Sequence, residues 1–155
     1  MNLMKYERNL KDQIDNYILS EEQLQYTGTP SNAVELGNID FYRHAILAIN
    51  NNDLVTFFVL HENDGVKPYS ENANAILLRT FSTDNRHQGK GYAKQSLLLL
   101  PEFVKEQFKH INEIVLAVNV KNLAAQTLYK KCGFIDEGVR KMGKKGELII
   151  MSYYL

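Results

Sequence analysis

Tryptophan is absent from this 155-residue chain, cysteine occurs once and proline three times, and the charges cancel, eighteen Lys and Arg against eighteen Asp and Glu. Each scarcity excludes something. The single cysteine, Cys132, allows no intrachain disulfide, fits a reducing intracellular compartment, and reads as a small buried hydrophobe. Zero net charge leaves no general pull toward nucleic acid or anionic lipid, so any anion site must be local. The N-terminus, MNLMKYERNLKDQ, lacks a basic start followed by an apolar stretch, and no apolar run approaches the length that crosses a bilayer. His44, His87 and His110 are scattered, and no His, Cys or Asp spacing resembles a metal site. The expectation is a cytoplasmic protein with no metal, no nucleic-acid partner and no membrane span, either monomer or homodimer.

What is present is one domain's worth of chain, residues 1–155, long enough to bury a real core. In KDQIDNYILSEEQLQYTGTP, the apolar residues Ile14, Tyr17, Ile18 and Leu24 suggest one or two short helices. Ser20, followed by Gln23, can cap the second, and Tyr26 to Pro30 breaks any helix. His44 to Ile49 and Leu54 to His61 read as a β-hairpin around Asn50-Asn51-Asn52-Asp53. Glu62 to Asn74 is polar and reads as a loop. Glu113 to Val120, near-continuous in apolar residues, suits a strand buried on both faces. Asn122 can cap a helix from Leu123 to about Lys131 with Ala124, Leu128 and Cys132 as its packed stripe and Gly133 as its stop. Val139 to Met142 and Glu147 to Tyr154 form a terminal hairpin.

The stretch with chemistry in it runs from Ala75 to Leu100. An apolar strand, Ala75 to Phe81, leads through a polar connector into Gln88-Gly89-Lys90-Gly91-Tyr92-Ala93, and apolar residues then recur at helical spacing. Two glycines where a loop opens a helix let backbone approach a ligand closely, and the first helical N–H groups have no intrahelical partner. Such a place suits a diphosphate, with Arg86 and Lys90 adding charge. Pro101 is expected to kink or break the helix that follows. Together with Glu113 to Val120 this is a right-handed βαβ unit with two parallel strands.

These residues resemble the GNAT family of acyl-CoA-dependent N-acetyltransferases. The family's pyrophosphate-loop pattern, Q/R-x-x-G-x-G/A, is met by Gln88, Gly91 and Ala93. A second signature is met by Asn122, Ala125, Leu128, Tyr129, Gly133 and Phe134. Two signatures in the right order on the expected elements are far more specific than either alone. The resemblance implies a mixed α/β fold, a mostly antiparallel twisted sheet of about seven strands with one parallel pair, flanked by about four helices. The seventh strand would be hidden in Leu3 to Leu10.

The resemblance also implies acetyl-CoA as co-substrate and a small-molecule primary amine as acceptor. Backbone of Phe81, Ser82 and Thr83 would hold the pantetheine arm. The N–H groups of Gln88, Gly89, Lys90, Gly91, Tyr92 and Ala93 would hold the diphosphate, Asn122 would bond the coenzyme, and the Tyr129 hydroxyl would sit near its sulfur. Direct transfer needs an amine that has lost its proton, donors for an oxyanion and a proton for the leaving thiolate. A Tyr hydroxyl, of reference pKa about 10 against about 8.5 for a thiol, is the proton donor that the resemblance implies. Glu62, Glu71, Asp84 and His61 are the candidate bases. A polyamine acceptor would want a carboxylate-lined groove, for which Glu21, Glu22, Glu35, Glu62, Asp64 and Glu71 are available. The alternatives are an aminoglycoside, amino-acid or peptide acceptor, and a module that senses CoA thioesters without catalysis. A nucleoside-triphosphate loop is disfavoured because no G-x-x-x-x-G-K-[ST] motif is present.

Overall fold

A computed structural model describes all residues from Met1 to Leu155. In chain order the elements are β1 (Asn2–Lys5), α1 (Lys11–Asp15), α2 (Glu21–Leu24), α3 (Pro30–Ile39), β2 (Arg43–Asn50), β3 (Asp53–His61), β4 (Ala75–Thr83), α4 (Tyr92–Gln107), β5 (Glu113–Asn119), α5 (Leu123–Lys131), β6 (Ile135–Gly143) and β7 (Gly146–Tyr154). The strands form one sheet in the order β1-β2-β3-β4-β5-β7-β6. Every neighbouring pair is antiparallel except β4 and β5. No helix is long and apolar enough to cross a membrane.

Alternation along the strands gives the sheet two apolar faces. Ile46, Phe58, Leu60, Ile76, Leu78, Ile114 and Leu116 pack under α4 and α5 with Leu97, Leu100, Val104, Tyr129 and Cys132. On the other face Leu47, Phe57 and Val59 receive Ile14 of α1 and Ala33 of α3. Further along that face, Leu77, Val115 and Ile150 are covered by Val66 and Tyr69 of the β3–β4 connection. A sheet buried on both sides explains why its central strands read as unbroken apolar runs.

Several expectations are corrected in detail. The seventh strand is Asn2–Lys5, at the start of the predicted stretch, whose far end is a 3-10 turn at Arg8–Leu10. Tyr26 to Pro30 ends one helix but also begins another, α3, because Thr29 accepts the Asn32 N–H (3.2 Å) and Pro30 occupies the first helical turn. Pro101 lies inside α4 without breaking it. The stripe on α5 holds at Leu128 and Cys132 but not at Ala124, which is exposed, its place on the core being taken by Ala125 and Tyr129. The last hairpin begins at Ile135, four residues early, with a register shift between Asp136 and Arg140 where Gly138 adopts a φ of 90°.

Candidate active site

The parallel pairing of β4 and β5 stops early. It joins Ala75 to Leu78 with Glu113 to Leu116 and goes no further, although β4 continues to Thr83 and β5 to Asn119. A bulge causes the divergence. Phe57 faces Ser82 and Val59 faces Arg79, so Phe58 alone opposes Thr80 and Phe81. Thr80 takes the left-handed conformation, φ 56°, uncommon for a β-branched residue. The extra residue bends β4 away from β5 and resets the alternation, so Phe81 stacks on Phe58 at 5.8 Å on the face covered by α4 and α5.

The opening between the two strands is a groove of about 900 Å³. Toward α4 and α5 it is lined by Phe81, Gln88, Asn122, Ala125, Leu128 and Tyr129. On the opposite face it is lined by Arg79, Ala117, Tyr69, Leu148, the α2–α3 connection from Gln25 to Gly28, and Lys144 and Lys145 of the β6–β7 turn. Two side-chain bonds close the walls. Gln23 Nε2 donates to the Thr83 carbonyl (2.7 Å), and Lys145 Nζ donates to the Gln25 carbonyl (2.6 Å).

Of the coenzyme residues expected from the sequence, Phe81, Ser82, Gln88, Asn122 and Tyr129 line this groove. Gly89, Lys90, Gly91, Tyr92 and Ala93 stand beside it, beyond Gln88. Gly91 caps α4 with φ 81° and Gly89 has φ 77°. A Cβ at either glycine would meet only open space, so it is the backbone angle that calls for glycine, and nothing of the protein covers the loop. The first turn of α4 has no side-chain cap and no acidic residue, leaving its N–H groups free for an anion. The Tyr92 hydroxyl is taken by Asn50 Nδ2 (3.2 Å). Thr83 lies just outside the groove; its carbonyl accepts from Gln23, as the Ser82 carbonyl accepts from the Tyr17 hydroxyl (2.7 Å).

Asn122 Oδ1 accepts the Ala125 N–H (3.2 Å), capping α5, and its amide nitrogen remains without a protein partner. Tyr129 is buried, packed edge-on against Phe81 (6.1 Å) and Phe134 (5.9 Å). Burial pushes its phenol well above the ordinary tyrosine pKa, so it stays protonated.

None of the four candidate bases reaches the groove. Asp84 is fully buried and accepts from Arg86 Nε (3.0 Å), a terminal guanidinium nitrogen of Arg86 (2.7 Å), the Arg86 N–H (2.8 Å) and the Ile18 N–H (3.1 Å). Burial alone would raise its pKa, but these donors outweigh it and hold the carboxyl below the usual range. Glu62 is clamped between His44 Nε2 (2.7 Å) and His110 Nε2 (2.8 Å). His61 lies between Asp40 and Arg79, and Glu71 lines a different cavity, beside Glu113 and Tyr154. The six acidic residues that would have made a polycation groove are not gathered either. Only Glu22 lines it. Arg79, paired with Val59 just before the bulge, lines the groove and carried no sequence signal of its own.

A splayed parallel pair, a glycine-opened helix and a buried phenol define a class of acyl-transferring protein, and comparison with known proteins agrees. The model of the acetyltransferase (GNAT) family matches residues 12–134. The chain belongs to the GNAT family and is an N-acetyltransferase. It is 37% identical over 146 residues to YbbJ, an uncharacterized N-acetyltransferase of Bacillus subtilis (strain 168), covering 92% of this chain and 90% of that protein. Among solved structures, the spermidine N-acetyltransferase of Vibrio cholerae with CoA and spermine superimposes with a TM-score of 0.74 at 21% identity, over 99% of this chain and 94% of that one. The aminoglycoside acetyltransferase AAC(6')-Ib with coenzyme A gives 0.79 at 16% identity, over 98% and 93%.

Proposed function

We propose that residues 1–155 act as one domain that transfers the acetyl group of acetyl-CoA directly to a primary amine of a small molecule. The observation that carries this reading is the opening of β4 from β5 beyond Leu78 and Leu116, with the α4 N-terminus at one end and Tyr129 inside. Acetyl-CoA supplies an acyl group activated as a thioester. The chain's own part is mainly positioning. The N–H groups from Gln88 to Ala93 hold the diphosphate, and backbone of Phe81, Ser82 and Thr83 lies along the arm like an added strand. The free amide of Asn122 donates to the coenzyme.

Tyr129 donates its proton to the departing sulfur as the C–S bond breaks and regains one, through water, from the amine that has lost its own. With none of the four candidate bases at the groove, the amine loses its proton to water or to Glu22, the one carboxylate that lines it. No covalent enzyme intermediate is required. Thiol release should be measured across amino acids, polyamines, aminoglycosides and peptides. Turnover on at least one class, dependent on acetyl-CoA, is expected; tight coenzyme binding with no turnover on any would convert the protein into a thioester sensor.

A further inference from the structure

The groove's charge has the opposite sign from what a polycationic acceptor needs. Three cationic side chains reach it, Arg79, Lys144 and Lys145, against one carboxylate, Glu22. Lys145 is engaged by the Gln25 carbonyl, so Arg79 is the informative one. It is partly buried, and no carboxylate lies within 4.0 Å of its guanidinium. Its protein partner is a histidine: a guanidinium nitrogen stands 3.2 Å from His61 Nδ1, while His61 Nε2 stands 3.0 Å from Asp40 Oδ2.

Protons can be placed in that chain in one consistent way. Arg79 can only donate, so His61 Nδ1 accepts, and Nε2–H then donates to Asp40. The ring is therefore neutral, in keeping with burial, which lowers its pKa. One of five guanidinium N–H groups is used and the direction of the fork is fixed. Arg43 stands near as well, within the influence of both Arg79 and the Asp40 carboxylate, and its Nε is buried with no partner. A guanidinium at the groove bonded only to a neutral ring, with no carboxylate of its own, leaves N–H groups for an anion.

We propose that the acceptor of this acetyltransferase is a small amine that also carries an oxyanion, and that Arg79, aimed by His61 and Asp40, binds that group and so selects the substrate. This rests on the acetyl-transfer reading above and narrows it. Arg79 lies on the sheet face opposite Tyr129, so a molecule anchored there would present its amine to the thioester through the opening between the strands. Spermine and aminoglycosides, the polycations of the structural neighbours, would instead meet like charge.

The test uses matched amines that differ only in the anion: amino acids against their amides, and aminoalkyl phosphates against the parent amino alcohols. The anionic member of at least one pair is expected to be favoured by roughly tenfold or more in kcat/KM. Arg79→Gln should collapse that ratio to within about threefold, mainly through KM, with Arg79→Lys intermediate. The calorimetric Kd for coenzyme A should move far less than the acceptor KM. Preference for neutral or polycationic amines, or an unchanged ratio in Arg79→Gln, would overturn the inference while leaving acetyl transfer intact. An equal loss of coenzyme affinity would also overturn it, by assigning Arg79 to the coenzyme. Failure of the unaltered protein to bind acetyl-CoA would overturn the acetyl-transfer reading and this one together. If Arg79→Gln does not fold, the preference of the unaltered protein decides.

Discussion

At the scale of single residues, two buried groups lead to opposite predictions. Tyr129 sits in the groove among aromatic rings, where its hydroxyl is the proposed proton donor to the leaving thiolate. Tyr129→Phe should therefore lower kcat by about a hundredfold, at the low end of what a positioned acid contributes, with the coenzyme Kd changed little. Steady-state rates beside calorimetry check this, and an unchanged kcat removes the role. Asp84, by contrast, serves stability. Asp84→Asn leaves donors from Arg86 and Ile18 poorly matched and should cost about 2 kcal/mol in urea unfolding at pH 7. Its folded pKa lies below the unfolded value of about 4, so the unfolded chain binds more protons between the two. The carboxylate's contribution is thus complete above the unfolded value and fades as pH falls through the folded one. The gap between wild type and Asp84→Asn should be flat from pH 5 to 8 and narrow below about pH 4.

At the scale of elements, β4 and the loop after it set the site. The bulge at Thr80 is what turns a continuous parallel ladder into an opening, and it does so with a β-branched residue at φ 56°. Glycine would adopt that angle freely. Thr80→Gly should raise the stability or leave it unchanged, against the usual strand-glycine cost of about 0.5–1 kcal/mol. The midpoint of urea unfolding decides, and a loss above about 1 kcal/mol would mean that Thr80's contacts outweigh its backbone strain. On the far side, α2 and the β6–β7 turn are held to the groove by single side-chain bonds from Gln23 and Lys145, so its walls depend on long-range contacts between short segments.

At the scale of the whole molecule, the proposed coenzyme site draws on β4, the loop before α4, and α5, which are brought together only in the folded state. A ligand that binds there stabilises the fold by mass action. Acetyl-CoA at about a hundred times its Kd should add about 2.7 kcal/mol, raising Tm by roughly 5–10 °C for a chain of this length. ATP at the same concentration should do much less, and equal shifts from both would argue for a generic phosphate site. Differential scanning calorimetry with each nucleotide makes the comparison.

Much of this was legible from local patterns. Buried strands announced themselves as apolar runs, and the β2–β3 turn was written in Asn51 and Asn52, which take φ values of 51° and 67°. Gly89 and Gly91 marked the positions where the backbone needs left-handed angles, and Asn122 with Tyr129 placed the next helix. Those features depend on residues near one another in sequence, where periodicity and backbone preference act directly. The α3 start at Thr29-Pro30 was also locally encoded, but the same residues that end a helix can begin one.

What the sequence by itself determined is the order of elements from β2 onward, a central strand buried on both faces, and the family. Only the tertiary structure decided which charges meet at the groove. Candidate bases Asp84, Glu62 and His61 are each bound to partners 2 to 66 residues away, and a lone arginine is left facing the opening. Charge partnership depends on distances through space across strand pairings and a one-residue bulge, and a shift of one position at Thr80 would exchange the residues facing each side.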